Sequence, residues 1–293
     1  MQELFHTMAQ TYLASIPYPH LNPIIVKFGP VAIRWYGMAY LTGFLLGFLC
    51  LRRMIQRGVL RLTQDQLADL VGWLVAGVMV GGRAGWWIFY HRPDPRLVSH
   101  WYDPIAVWQG GMSFHGGLAG VCIAIAIWCR VMKAPGWNIA DCSALVAPIG
   151  LFLGRLANFV NAELVGRPTD LPWGVVFPGR LEARHPSQIY EAILEGPMLF
   201  LVVWIFRRFT NPREGQTASI FLIAYGIFRF AVEFTREPDV QLGFIAFGWL
   251  TMGQILSLAL SLVGVAAFWV TRRQPLANSL IQPPAVAPVA AIK

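Results

Sequence analysis

The stretch Gly154-Arg155-Leu156-Ala157-Asn158-Phe159-Val160-Asn161-Ala162-Glu163-Leu164-Val165-Gly166 puts an arginine, two asparagines and a glutamate at the end of an apolar run that begins near Ile139. Each ionised group inside a bilayer costs a few kcal/mol, so such residues mark either helix pairing or chemistry. A helix entering at Ile139 carries Arg155 roughly 24 Å along at about 1.5 Å per residue, within two turns of the far edge of a ~30 Å hydrocarbon core. On a helical wheel Arg155, Asn158, Ala162 and Gly166 share one face. Two further stretches have the same character. Gln188, Glu191 and Glu195 recur at i, i+3 and i+7 on an apolar run, and Tyr225, Arg229, Glu233 and Arg236 follow at intervals of four, four and three, so that Arg229 and Glu233 can pair along one helix. His115 stands at the entry of another apolar run.

This set suits an anion. Planar guanidinium groups grip phosphate oxygens in a fork that lysine does not reproduce, and an excess of arginine over carboxylate in a low-dielectric cleft favours negative charge. At headgroup depth the anion is a phospholipid, with Arg155 and Arg229 placed to stabilise charge on a departing phosphate. His115 is the candidate proton acceptor, since histidine ordinarily titrates near 6.5. Two blander readings stand beside these: Arg155 paired with Glu163 to hold helices together, and His115 as an interfacial anchor.

The elements that must position these residues are membrane helices. The 293-residue chain is 56% hydrophobic and only 13% charged, with mean hydropathy +0.53, which excludes an ordinary soluble domain. Its net charge of +8 and pI near 9.7 do not indicate nucleic acid, because the basic residues sit in short segments between apolar runs, where they set topology. Cys50, Cys122, Cys129 and Cys142 lie in or beside apolar runs without metal-ligand spacing, so neither a disulfide, nor a metal site, nor a cysteine nucleophile is inferred. The first thirty residues lack the pattern of a removable signal peptide, and residues 3–16 have the spacing of an interfacial helix.

Seven spans are expected, starting near Ile33, Leu67, Ser113, Ile139, His185, Ala218 and Trp249. Gly77, Gly81 and Gly85 in the second form a small-residue seam for close helix packing. Arg52, Arg53, Arg57 and Arg61, then Arg130 and Lys133, then Arg207, Arg208 and Arg213, then Arg272 and Arg273 follow spans one, three, five and seven. The positive-inside rule therefore puts the N-terminus outside and the C-terminus in the cytoplasm. The fold class is an all-α polytopic membrane protein: one seven-helix domain over residues 1–273, a small extracytoplasmic head between helices 4 and 5 with a short strand near 173–177, and a Pro/Ala-rich, disordered tail at 274–293. In this orientation the polar set faces the outer half of the membrane. The inner half has no counterpart, unlike a channel or an alternating-access carrier.

The Gly154–Gly166 stretch resembles the signature of the prolipoprotein diacylglyceryl transferases. Arg34-Trp35-Tyr36-Gly37, His115-Gly116-Gly117, His185-Pro186-Ser187-Gln188 with Tyr190 and Glu191, and Tyr225-Gly226 with Phe228, Arg229, Glu233 and Arg236 are similar to that family's other motifs in the same order, from about Asn22 to Arg273. Ala157 stands where many members have glycine. The resemblance implies an enzyme of the bacterial cytoplasmic membrane, active on the periplasmic side, that moves the diacylglyceryl group of phosphatidylglycerol onto the lipobox cysteine in a prolipoprotein signal peptide and releases glycerol phosphate, without cofactor. It implies His115, Arg155 and Arg229 as catalytic. For phosphatidylglycerol it implies Tyr36, Asn158, Glu163, Gly166, Tyr225, Glu233 and Arg236, together with the two arginines. Whether His115 or the arginine field ionises the thiol stays open, because a thiol beside several arginines is ionised more readily than a free one. The rival reading is a non-enzymatic carrier of an anion or anionic phospholipid.

Overall fold

The computed structural model describes residues 16–29, 31–88, 105, 113–238, 243–278 and 280, and for Val31, Phe114, His115 and Leu118 the backbone alone. The expected interfacial helix at residues 3–16 lies outside the described residues except for Ile16. The helices, in chain order, are α1 (Trp35–Gln56), α2 (Gln64–Trp86), α3 (Phe114–Val131), α4 (Gly136–Val160), α5 (Ser187–Phe209), α6 (Gln216–Val232) and α7 (Met252–Val270). Five of them, α1, α2, α4, α5 and α7, are long and apolar enough to cross a membrane. Two apolar helices, α6 and the Ala119–Val131 part of α3, are shorter. The chain divides into two compact units: the segment Met54–Ile139, and the described residues before Met54 together with those from Ala140 on.

In the Met54–Ile139 unit, α2 and α3 pack through backbone. Thr63 starts α2 with a capping box: its hydroxyl accepts from Gln66 N at 3.1 Å, and its own N–H donates to the Gln66 side chain at 2.9 Å. Added Cβ atoms at Gly77 and Gly85 would stand 2.7 Å from Gly120 O and Gly116 Cα, and one at Gly81 would collide with Gly116 O. The expected seam on α2 therefore has a matching glycine seam on α3, and Gly116 of the His-Gly-Gly motif is part of it. Ser113 N donates to Gly82 O at 2.8 Å, pinning the start of α3 to α2.

In the other unit, two small β pairs flank the helices. β2 (Ile24–Phe28) and β3 (Val31–Arg34) form an antiparallel hairpin, and β1 (Ile16–Pro17) pairs in parallel with β4 (Val175–Val176), within the expected 173–177 strand. The first span was expected from Ile33. Ile33 and Arg34 instead end the hairpin, Arg34 opposite Ile24, and the helix starts at Trp35. Tyr18, Val165, Val175 and Phe177 make a buried apolar cluster beneath residues 161–186. The Tyr18 hydroxyl reaches the terminal carbonyls of α4 at Val160 (2.8 Å) and Phe159 (3.0 Å), and burial pushes its pKa above the ordinary tyrosine value.

At the opposite end, buried Asp141 accepts from Gly215 N (2.8 Å) and Ala218 N (2.9 Å), capping α6, and faces Arg207 at 3.5 Å. Asp141 stands near the start of its own helix, α4. The structure makes it the N-terminal anchor of another. The expected tail also begins later than composition suggests. Glu214 N donates to Pro275 O, Ala277 N to Pro212 O, and Arg207 Nη2 to Asn278 O at 2.7 Å, so residues 274–278 are tied down. Residues 281–293 lie outside the description.

Candidate functional site

Three helix ends and one kink assemble the polar set. At the C-terminus of α4, Glu163 N donates to Asn158 O at 3.0 Å and Ala162 N to Phe159 O at 2.9 Å, the paired bonds of a Schellman motif. The residue in the left-handed position is Ala162 (φ 53°), and Leu164 (φ 54°) repeats the conformation two residues on. Each is strained by about 1–3 kcal/mol, because Cβ crowds the backbone there. The strain turns the chain abruptly, so Arg155 and Asn158 stay on the helix while Glu163 leaves it.

On α5, regular helix is interrupted by a kink within Leu194–Met198, where Pro197 stands and Gly196 leaves helical geometry at φ −95°, ψ −106°. Proline removes a helical donor and crowds the carbonyl of residue i−4, so the helix kinks there. A Cβ on Gly196 would come within 2.8 Å of Phe152, so only glycine lets α5 lie this close to α4. The kink holds Glu195 on the same side as Glu191. Both are buried.

The charges then alternate in one line. Glu195 accepts from Arg155 Nε at 2.9 Å, and Arg155 Nη1 lies 2.6 Å from Glu191. Arg236 Nη1 donates to Glu191 at 2.6 Å, and its Nε lies 3.4 Å from Glu233. Glu233 also meets Arg229 Nη1 at 2.5 Å and accepts from Thr251 Oγ1 at 3.0 Å. The order Glu195–Arg155–Glu191–Arg236–Glu233–Arg229 draws on α4, α5, α6 and the segment after α6. Three arginines meet three carboxylates, which corrects the expected excess of arginine. The line is neutral because α5 brings in Glu191 and Glu195, a stripe that the sequence reading counted in the polar set without giving either glutamate a role in the site.

Of the remaining expected residues, Tyr36, Asn158, Glu163, Gly166 and Tyr225 belong to the same unit as this line. Tyr36, in the first turn of α1, is within electrostatic reach of Glu163 and Arg155, and its hydroxyl is 3.1 Å from that of Tyr40. Tyr225 is within reach of Glu195, Arg155, Arg229 and Glu191. Asn158 is buried. The Glu163 carbonyl accepts from Gln188 Nε2 at 2.5 Å, and its carboxylate accepts from Asn161 Nδ2 at 3.3 Å. Arg155 and Glu163 are thus held by other partners, and the expected pairing between them is not the contact made. Gly166 forms an antiparallel bridge with Arg236, and a Cβ there would sit 2.5 Å from His185 O and 2.6 Å from Thr235 O, so this position admits glycine alone. The backbone of His115 lies in the first turn of α3, and its side chain is outside the described residues.

Arg167 and Thr251 are additions that sequence reasoning missed. Arg167 Nε donates to Arg236 O at 2.6 Å, fixing the chain that bears Arg236. It also lies near His185, where burial first and the arginine second push the histidine pKa below its ordinary value, so His185 stays neutral. Glu191 and Glu195 did have a signal, the i, i+3, i+7 stripe with Gln188.

Chemically, the line has two openings. Arg155 and Arg229 keep 18% and 16% of their side chains exposed, and Arg229 ends the line with one carboxylate partner among the described residues. The part of the Arg229 fork turned away from Glu233 can pair with an oxyanion, whereas Arg155 already holds two carboxylates. Apolar helices of membrane-crossing length around a buried, charge-balanced ionic line define a multi-pass membrane protein with its polar site at the helix ends.

The protein family described as Prolipoprotein diacylglyceryl transferase matches residues 23–270, and the chain belongs to that family. Its relatives include the phosphatidylglycerol–prolipoprotein diacylglyceryl transferases of Solidesulfovibrio magneticus (46% identity over 265 residues, 89% of this chain and 98% of the relative) and Rhizobium meliloti (46% over 266 residues, 88% and 94%). The enzyme of that name from Legionella pneumophila strain Corby is 44% identical over 259 residues, 88% of this chain and all of the relative.

Proposed function

We propose that this chain transfers the diacylglyceryl group of phosphatidylglycerol to the lipobox cysteine of prolipoproteins, the first step of lipoprotein maturation. The cysteine sulfur forms a bond to the terminal glycerol carbon of the diacylglyceryl group, the bond from that carbon to the phosphate oxygen breaks, and glycerol phosphate leaves with the electron pair. The observation that carries this reading is the meeting of Arg155 from one motif with Arg229 and Arg236 from another, distant in sequence, in one buried line that is partly open at Arg155 and Arg229. The nucleophile comes with the substrate. Arg229 receives the phosphate, Arg155 takes up charge as the phosphate departs, and Tyr36, Asn158, Glu163, Gly166, Tyr225, Glu233 and Arg236 shape the lipid site. His115 accepts the thiol proton, directly or as a relay.

The topology that serves this reaction has seven spans with the N-terminus outside, and residues 161–186 form a head on the periplasmic face of the inner membrane. The Lys/Arg bias of the connecting segments supports it. In a cysteine-free background, a cysteine near Pro178 is expected to label with an impermeant maleimide in intact cells, and one near Thr210 is not. The reverse pattern would rule out an outward-facing site.

The reaction is tested by incubating purified protein with phosphatidylglycerol and a lipobox peptide and looking for a thioether-linked diacylglyceryl mass shift. A carrier of anionic lipid gives none. In the same assay His115→Gln is expected to fall on the order of 10²-fold and to recover as pH rises toward the thiol pKa, because a pre-ionised nucleophile needs no base. Inactivity at every pH with loss of lipid binding would make His115 a headgroup residue instead.

A further inference from the structure

A cavity of about 340 Å³ opens beside the ionic line, lined by Leu164, Val165, Phe177, Pro178, Arg180 and Arg236 among others. It lies against the non-helical segment 161–186 and the loop after α6, apart from the apolar faces of the helices. Arg180 and Leu164 at its lining are 44% and 47% exposed, so it is open to the outside. Its charged lining is two arginines against one carboxylate, Glu237, which is itself held by Arg184 Nη1 at 2.9 Å and Arg180 Nη2 at 3.4 Å. Arg180 and Glu237 balance each other, so the cation through which the cavity meets the line is Arg236. Arg236 belongs to both: Nη1 holds Glu191 and thereby Arg155, while Nε is buried without a hydrogen-bond partner, 3.4 Å from Glu233.

We propose that this cavity is a subsite for the glycerol phosphate group, occupied as that group leaves the ionic line. This rests on the transfer reaction proposed above. The departing product is a small, water-soluble dianion, and free glycerol phosphate held in the cavity would block its departure and so inhibit the next turnover. A cavity that shares Arg236 with the line, has a second arginine at its open side, and holds on the order of ten water-sized groups fits glycerol phosphate in charge and size. The polypeptide substrate brings no such charge. Arg180 is the residue this assigns anew.

The test compares product inhibition of wild-type and Arg180→Gln protein, full length in lipid nanodiscs, by free glycerol phosphate during transfer from phosphatidylglycerol to a lipobox peptide. Arg180 is exposed and outside the ionic line, so the variant is expected to fold, as checked by thermal unfolding. The inhibition constant for glycerol phosphate is expected to rise about tenfold, the loss of one charge-assisted contact, with Arg180→Lys in between. If the KM for phosphatidylglycerol is unchanged, the free product is the occupant; if it rises in parallel, the lipid's own headgroup also enters. Both outcomes support a glycerol phosphate subsite. An unchanged inhibition constant overturns it, as does a rise confined to the peptide KM, which would assign the cavity to the polypeptide. Absence of transfer in the wild type would instead refute the reaction itself.

Discussion

Two helix interfaces in this chain solve the same packing problem with opposite chemistry. Between α2 and α3, five glycines, Gly77, Gly81, Gly85, Gly116 and Gly120, remove side chains so that backbone meets backbone. Where α4, α5 and α6 converge, large charged side chains fill the space and cancel one another along the line Glu195–Arg155–Glu191–Arg236–Glu233–Arg229. The first arrangement stabilises by dispersion and close approach, which is available in lipid, where no hydrophobic force separates one apolar helix from another. The second gains little net stability, because desolvation offsets most of the Coulomb attraction of a buried pair. An interface that contributes little stability and yet holds six charged groups fits the binding role proposed for it. The glycine seam is explained by packing alone.

The comparison can be broken at its strong end by Arg155→Ala. Glu191 would keep one arginine and Glu195 none, both buried, and the expected loss is about 3–5 kcal/mol of stability together with transfer. Adding Glu195→Gln should restore much of the stability, read as thermal unfolding in detergent, and none of the transfer. Recovery of both would mean that the line is scaffold and not site.

The seam is tested by Gly77→Ala, whose Cβ would meet Gly120 O at 2.7 Å, against Gly72→Ala, which meets nothing within 4 Å. The first is expected to cost about 1–3 kcal/mol as overpacking, while transfer per folded molecule is retained. The second should be neutral or slightly stabilising, since alanine is the better helix former. Equal effects would remove the close approach from the account.

The smallest effect is expected at Ala162, where glycine relieves a left-handed backbone. Ala162→Gly should stabilise by up to about 1 kcal/mol, offset in part by the greater freedom of glycine in the unfolded chain. A loss of stability would show that the Ala162 methyl packs usefully against the Tyr18 and Phe177 cluster.

Much of this architecture is legible in the chain. Long apolar runs give the helices, the four-residue glycine spacing gives one side of the seam, and wheel positions put Arg155 with Asn158 and Arg229 with Glu233. A wheel does not say which other helix a face meets. That is why Glu191 and Glu195 read as a polar stripe without an owner, and why the line looked too rich in arginine. The kink in α5 is foreshadowed only by Gly196-Pro197. Ala162 is opaque for another reason, since nothing in an alanine announces a positive φ. Residues 274–278 mislead by composition: proline and alanine read as disorder, yet backbone groups there bond to the backbone at 212 and 214 and to the side chains of Arg207 and Arg213, partners that the composition of the segment does not reveal.

The central claim is that the buried arginines act on phosphate through their forked geometry and not merely through charge. Single-turnover transfer by Arg155→Lys and Arg229→Lys tests it most directly, in protein shown to be folded. Lysine keeps the charge but loses the paired N–H donors, so each variant is expected to react about 10²-fold more slowly or worse. Rates near wild type in both would contradict the claim and reduce the two arginines to general electrostatics beside the lipid.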